Sequence, residues 1–247
     1  MDLTIAIPTF NGRDLTLACL ESIATHAGRI RAEIIVVDNG SRDGTPEAVA
    51  ERFPAVTLLH NDANCGFSIA VNQALEIARG RHVLVLNNDT RILSGSLDTA
   101  VDYLDQHPDV GIVTPQLLNE DGRTQNSIAN LPSLTELFLG KAPLRLLFPR
   151  RFHGRRRVLT EPSEVESVVG AAMFVRRKVI EEIGGLDERF FAFLEETDWC
   201  LRARQAGWKI HIVPEARIIH LQGQTANRVP IQKRVEYTRS LFLYFEK

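Results

Sequence analysis

Hydrophobic positions fall into two regimes along this chain. Through the first 115 or so positions they come as short unbroken runs, separated by amphipathic stretches of about 10 to 15 residues. Val83–Leu84–Val85–Leu86 has no polar position inside it. A strand with that pattern is covered on both faces, as in a parallel sheet. Runs at Leu3–Pro8, Glu33–Val37, Val56–His60, His82–Leu86 and Val110–Thr114 predict strands. Helices are predicted over Asp14–Thr25, Thr45–Phe53, Ser68–Ala78 and Ser94–Gln106, with Thr45 as a cap and Pro46 at the first helical position. Strands alternating with helices define βαβ units, and so an α/β fold with a mostly parallel sheet flanked by helices.

Beyond residue 115 the pattern loosens. "LLNEDGRTQ" predicts a hairpin around Asp121–Gly122. Residues 130 to 160 are irregular and basic. Strands return at Val165–Val169, Ala172–Val175, Lys209–Val213 and Arg217–His220, and helices at Arg177–Ile183, Glu195–Ala206 and Gln232–Glu246. The last helix ends without a capping residue, as expected of a chain that continues past Lys247 or has been trimmed.

Composition narrows the classes. With 247 residues, 44% hydrophobic and 24% charged, the chain reads as an ordinary globular protein. A net charge of −2 gives no support to nucleic-acid binding. Cys19, Cys65 and Cys200 are odd in number and form no Cys-x-x-Cys pair, which argues for a reducing compartment and against structural zinc. No signal peptide and no apolar run near the ~20 residues of a membrane span is present, so a cytoplasmic location is expected.

Polar residues gather where the predicted strands end. In an open parallel sheet, ligands bind beyond the carboxyl ends of the strands. The first strand delivers Pro8, Thr9 and Asn11, and the second Asp38, Asn39 and Ser41. The loop after the third brings Asn64 and Gly66, and the fourth strand delivers Asn87, Asn88 and Asp89. Any one of these loops is explained by turn formation alone. Four of them converging on one edge make a candidate site for a polar ligand. Neither Gly-x-Gly-x-x-Gly nor Gly-Lys-Ser/Thr occurs, so a bound nucleotide must be read by side chains such as Asp38 and Asn87. Its diphosphate would then need a cation.

"AIPTFNG", "IIVVDNGSRDGT", "NCGFSIAVNQAL" and "VLVLNNDT" resemble the donor-binding half of a family 2 glycosyltransferase with the GT-A fold. "GAAMFVRR", "GGLDERFFAFLEETDWCLRARQAG" and "HLQGQT" resemble its acceptor half. The resemblance implies one GT-A domain, with residues 1–115 binding the nucleotide-sugar and residues 116–247 the acceptor. The branch it resembles most contains rhamnosyltransferases of bacterial cell-surface polysaccharides. It implies a dTDP- or UDP-sugar donor, a divalent cation (Mg²⁺ or Mn²⁺), inverting transfer, and a glycan or polyprenyl-linked acceptor. Asn87–Asn88–Asp89 is similar to the family's Asp-x-Asp element in thinned form, with Asn87 near the ribose and Asp89 on the metal. His220 supplies a second ligand, which would suit Mn²⁺ somewhat better than Mg²⁺. The thin element also leaves an alternative, an inactive nucleotide-sugar or glycan-binding module of the same fold.

Inverting transfer needs a carboxylate base. "LEETDWCLR" offers Glu195, Glu196 and Asp198. On a helix Glu196 shares the stripe of Trp199, Cys200, Ala203 and Gly207, which should pack on the sheet. Asp198 points nearly opposite and Glu195 sits at the stripe's edge, each stabilising the helix amino terminus or supporting the acceptor side. The helix amino terminus should favour the ionised form of Glu196. The family's usual Glu-Asp reads Glu195–Glu196 here, one methylene longer at the base. Gly170 and Ala171 are small residues that would let a sugar approach the backbone, and Cys65 reads as a loop filler. Arginines between Lys141 and Arg157, interleaved with Leu and Phe, are expected to hold the protein peripherally on the inner face of the cytoplasmic membrane.

Overall fold

The computed structural model of the chain describes residues 1–135, 159–221 and 230–247. Strands β1 (Leu3–Thr9), β2 (Ala32–Asp38), β3 (Thr57–His60) and β4 (His82–Leu86) are followed by β5 (Thr90–Ile92) and β6 (Val110–Leu118). Helices α1 (Arg13–His26), α2 (Thr45–Arg52), α3 (Phe67–Ile77) and α4 (Ser96–Gln106) lie between them. The second half adds β7 (Ile128–Ala129), β8 (Ser163–Glu164), β9 (Ser167–Val168), β10 (Ala172–Arg176) and β11 (Lys209–His220). Its helices are α5 (Arg177–Ile183), α6 (Glu195–Gln205) and α7 (Pro230–Phe245).

The main sheet runs β3-β2-β1-β4-β10-β6-β11-β5, with β8 added beside β11. Pairs among β1, β2, β3 and β4 are parallel, as is β6 with β11. The unbroken apolar runs are explained by what covers each face. Leu3, Ile5, Ile7, Leu84 and Leu86 face a core built with Leu20 and Ile23 of α1 and Leu97, Val101 and Leu104 of α4. Their neighbours Ala6, Val83 and Val85 face the other layer, with Val71 and Ala74 of α3, Val179 of α5 and Trp199 and Ala203 of α6. Both faces are dry, so no alternation is needed.

Strand β10 sits antiparallel between β4 and β6, with Ala172 opposite Leu86 and Phe174 opposite both Leu84 and Val113. That reversal positions the site. It sets the start of β10 beside the end of β4, so Gly170 and Ala171 reach the edge where Asn87 to Asp89 emerge.

Three local expectations change. Thr45 is the first helical residue rather than the cap, which falls on Gly44 at φ 79°, and Asp43 accepts the Thr45 amide at 3.2 Å. The two late strands are one strand, β11, whose register shifts between Val213 and Arg217 across Pro214, a residue tolerated at bulges. Conversely, the expected strand Val165–Val169 shortens to β9, because Ser167–Val168 pairs with β7, while β8 just before it, at Ser163–Glu164, joins the main sheet. The hairpin at Asp121–Gly122 is present, closed by a Leu118–Thr124 bridge. Among the described residues no helix is long and apolar enough to cross a membrane.

Candidate active site

The carboxyl ends of β1, β2 and β4 are knitted into one surface. Asp38 is fully buried; its Oδ2 accepts the Ser41 amide at 2.9 Å and lies 2.9 Å from His60 Nδ1. Its Oδ1 is buried with no hydrogen-bond partner. A buried carboxylate oxygen without a donor is costly unless a ligand supplies one, and a pyrimidine N3–H or a ribose hydroxyl has the required polarity. Asn11, in the left-handed region at φ 48°, donates its amide to Ser41 Oγ at 2.8 Å and accepts the Arg42 amide at 2.9 Å. Asn88 Nδ2 donates to Thr9 Oγ1 at 3.0 Å and to Thr16 Oγ1 at 3.1 Å. Pro8 is buried inside β1 opposite Val37.

Other residues expected to touch the donor are occupied within the protein. Asn39 donates to the Gly66 carbonyl at 3.1 Å and accepts from Asn61 at 2.9 Å. Asn64 Oδ1 accepts the Gly66 amide at 3.0 Å. Gly66 has φ 94°, and a Cβ there would meet Phe191 at 2.8 Å. It is glycine because the segment before α6 crosses it. Cys65 is half-buried against Asn39 and Asn61, the filler that was expected.

Asp89 and His220 meet because β5 and β11 pair antiparallel, with His220 opposite Thr90. His220 Nε2 lies 3.4 Å from Asp89 Oδ1, and both side chains are buried. Gln125 Nε2 donates to Asn119 Oδ1 at 2.9 Å and to the His220 carbonyl at 3.2 Å. Its Oε1 therefore faces His220 Nδ1, 2.7 Å away, as an acceptor. Nδ1 then donates to that oxygen, and Nε2 is the ring nitrogen that faces the carboxylate. Adjacent ligands about 2.1 Å from one small divalent cation stand roughly 3.0–3.4 Å apart, so the donor pair fits such an ion. Among the described residues no group of three or more His, Cys, Asp or Glu side chains converges as a metal cage. A cation there would draw its remaining ligands from diphosphate oxygens and water.

Asn87 is half-buried, and its amide N–H donates to the Ala171 carbonyl at 2.9 Å. On the far side of that link, a Cβ on Gly170 would lie 3.3 Å from Glu196 Cβ and Cγ. The absent side chain at Gly170 is what lets Glu196 approach. Asn87, Ala171, Gly170 and Glu196 thus form one continuous path along the shared edge.

Glu195 is buried, and its Oε2 has no partner. Burial pushes both carboxyls of the pair above the usual range, and the charge of Glu196 pushes Glu195 further. The helix amino terminus was expected to favour ionisation of Glu196; desolvation outweighs it. Asp198 corrects a second expectation. Rather than facing away from the protein it is 1% exposed, 2.8 Å from Arg202 Nε and 2.6 Å from Lys247 Nζ. The chain end folds back over what helical periodicity alone makes an outer face.

Gln125 and Lys247 carry no signal in the sequence. Each acts through a contact made by a distant segment. The basic run at 141–157 lies outside the described residues.

A twisted, helix-flanked sheet with polar groups at the ends of β1, β2 and β4 and a carboxylate helix beside them is the GT-A architecture of glycosyltransferases. The chain belongs to glycosyl transferase family 2, whose profile matches residues 4–184. It is 32% identical over 226 residues to the N-acetylglucosaminyl-diphospho-decaprenol L-rhamnosyltransferase of Mycobacterium tuberculosis, covering 85% of this chain and 73% of that one. The O-antigen biosynthesis protein RfbC of Myxococcus xanthus is 26% identical across 88% of this chain, which spans 17% of its length. Among solved structures, the mannosyltransferase PcManGT of Pyrobaculum calidifontis, in complex with GDP-Man and Mn²⁺, superposes with a TM-score of 0.67 at 23% identity. That match covers 96% of this chain and 61% of the solved one.

Proposed function

We propose that this chain moves a sugar, rhamnose in the first instance, from a dTDP- or UDP-sugar to a hydroxyl of a glycan or polyprenyl-diphosphate-linked acceptor, with inversion at the anomeric carbon. Residues 1–115 would read the donor and residues 116–247 the acceptor. The arrangement that carries this reading is the path Asn87–Ala171–Gly170–Glu196, which joins the Asp89–His220 pair to one carboxylate at a single sheet edge. The rhamnosyltransferase named above, with its diphospho-decaprenol acceptor, supports the choice of sugar and of acceptor class.

Asp38 Oδ1 would accept from the base or ribose, and Asn87 would lie near the ribose. Asp89 and His220 would hold Mg²⁺ or Mn²⁺, which when bound offsets the charge of the departing diphosphate. Glu196 would take the proton of the acceptor hydroxyl as that oxygen bonds to the anomeric carbon. The bond from that carbon to the diphosphate oxygen breaks with its electron pair, and the nucleoside diphosphate leaves. A pKa raised by burial suits Glu196 to the role, since a base works best near the operating pH. Arg155–Arg157 would help hold the enzyme on anionic lipid, and their replacement by serine should weaken vesicle binding.

The test is a panel of dTDP- and UDP-sugars with Mn²⁺ or Mg²⁺, comparing the parent with Glu196→Gln. Turnover in the parent alone supports the proposal. Tight donor binding with no turnover in either protein would favour the binding-module alternative.

A further inference from the structure

Helix α7 (Pro230–Phe245) has a held face and an uncovered one. On the held side, Ser240 Oγ donates to the Ala192 carbonyl at 2.8 Å, and Tyr244 packs with Phe190 and Leu194. Lys247, just past the helix, places its Nζ 2.6 Å from both Asp187 Oδ2 and Asp198 Oδ1. At roughly 100° per residue, Ile231, Val235, Thr238 and Phe242 fall on the opposite side. They are open to solvent: Ile231 is 78% exposed, Val235 59% and Phe242 69%. A single exposed apolar side chain is ordinary, whereas a stripe aligned over three turns is not. Arg234 and Arg239 flank the stripe on its two sides, both exposed and neither with an acidic partner among the described residues. Glu246 is the acidic residue at its far end, and Glu236, the acid within the helix, is half-buried and lies about 100° round from Val235, off the stripe.

We propose that α7 is an interfacial helix that lies on an anionic lipid surface, with Ile231, Val235 and Phe242 in the acyl boundary and Arg234 and Arg239 at the headgroup phosphates. Charge decides between this occupant and a second copy of the chain. Stacking two stripes would bring two pairs of arginines together with little counter-charge, whereas anionic lipid supplies it. The held face ties the docked helix to the segment before α6 and to Asp198, so the end of the molecule that carries Glu196 stays at the surface. The inference deepens the reading above only in purpose, since a lipid-linked acceptor lies at such a surface; the docking itself is measured without turnover.

The experiment sediments the full chain with phosphatidylcholine vesicles, with and without phosphatidylglycerol. The parent should bind the anionic vesicles and bind less as salt rises. Partition should fall more than about tenfold in the double variant Ile231→Ser/Phe242→Ser, and several-fold in Arg234→Gln/Arg239→Gln, with melting temperatures unchanged. Parent binding that is absent, equal on neutral vesicles, or undiminished in the first variant overturns the proposal. So does a concentration-dependent dimer that this variant abolishes in ultracentrifugation. Turnover of a water-soluble acceptor should be the same in both variants as in the parent. If no protein turns over but vesicle binding follows the variants, the catalytic reading fails and the docking stands.

Discussion

At the ends of β1, β2 and β4 nearly every polar side chain has a partner within the protein: Thr9, Asn11, Asn39 and Asn88 are all hydrogen-bonded, and Asp38 lacks a partner at one oxygen only. A few residues away, around α6, the construction is the reverse. Glu195 and Glu196 are crowded into a site that burial makes hostile to charge, and Phe193 and Leu194 before them hold left-handed φ values of 70° and 66°. Such backbone costs about 1–3 kcal/mol per residue and persists where its surroundings over-determine it. Here Phe191 O accepts the Phe67 amide at 2.8 Å, Phe190 O accepts Ser68 Oγ at 2.7 Å, and α7 grips Ala192. The edge proposed for the donor is preformed by loops that hydrogen-bond to one another within the first half of the chain. The acceptor edge is held in an unfavourable state by elements from elsewhere in the chain.

The most severe way to break this contrast is Glu196→Gln. Turnover should fall by about 10²–10⁴ while calorimetric donor affinity stays unchanged, because the amide keeps the shape of the carboxyl and leaves Asp38, Asn87 and Asp89 in place. In the parent, turnover should decline as pH falls through a Glu196 pKa that burial holds above the ordinary carboxylate range.

Next is Gln125→Leu, which removes the acceptor that fixes the His220 tautomer. The affinity for Mn²⁺, followed by titration calorimetry with dTDP or UDP present, should weaken about 10–100-fold. An unchanged affinity would remove His220 from the cation site.

A smaller effect is expected of Lys247→Met. Asp198, with one oxygen 2.8 Å from Arg202, loses the partner of the other. Stability should drop by about 1.5–3 kcal/mol in chemical denaturation, with donor affinity unaltered.

The mildest test is Glu195→Gln. A carboxyl whose pKa is raised on folding binds its proton more tightly in the folded state. Its contribution to stability is therefore full below the unfolded pKa and is lost as pH rises through the folded one. The parent should lose stability over that interval, and the Gln variant should melt at a temperature that varies less with pH. Parallel curves would show that Glu195 is not the strained group.

The same division marks what the sequence makes legible. His82–Leu86 and Arg177–Ile183 have the predicted bounds, and the other early elements shift by two residues or fewer except β6, which runs on from Thr114 to Leu118, because apolar runs and turn residues are local signals. The placement of β10 is not local. Nothing in "AMFVR" says that it inserts antiparallel between β4 and β6, since any apolar strand suits a sheet covered on both faces. Asp198 was misplaced for a related reason. Periodicity knows the helix and the sheet beneath it, but not a lysine 49 positions later that closes over the outer face. Gln125 carries no signal because it lies in a hairpin whose turn is readable and whose destination is not.

The reversal at β10 has one more consequence. The chain leaves the common edge at Leu86 and re-enters it at Ala172, and the Asn87–Ala171 hydrogen bond is the seam between the two passes. Among the described residues between β7 and β8, none pairs with the strands β1 to β4. Doubling the length of a loop in general costs only about 0.6 kcal/mol in closure entropy. On the proposed reading, insertions or deletions between β7 and β8 would remodel what the incoming alcohol meets while the strands proposed to seat the nucleotide keep their pairing.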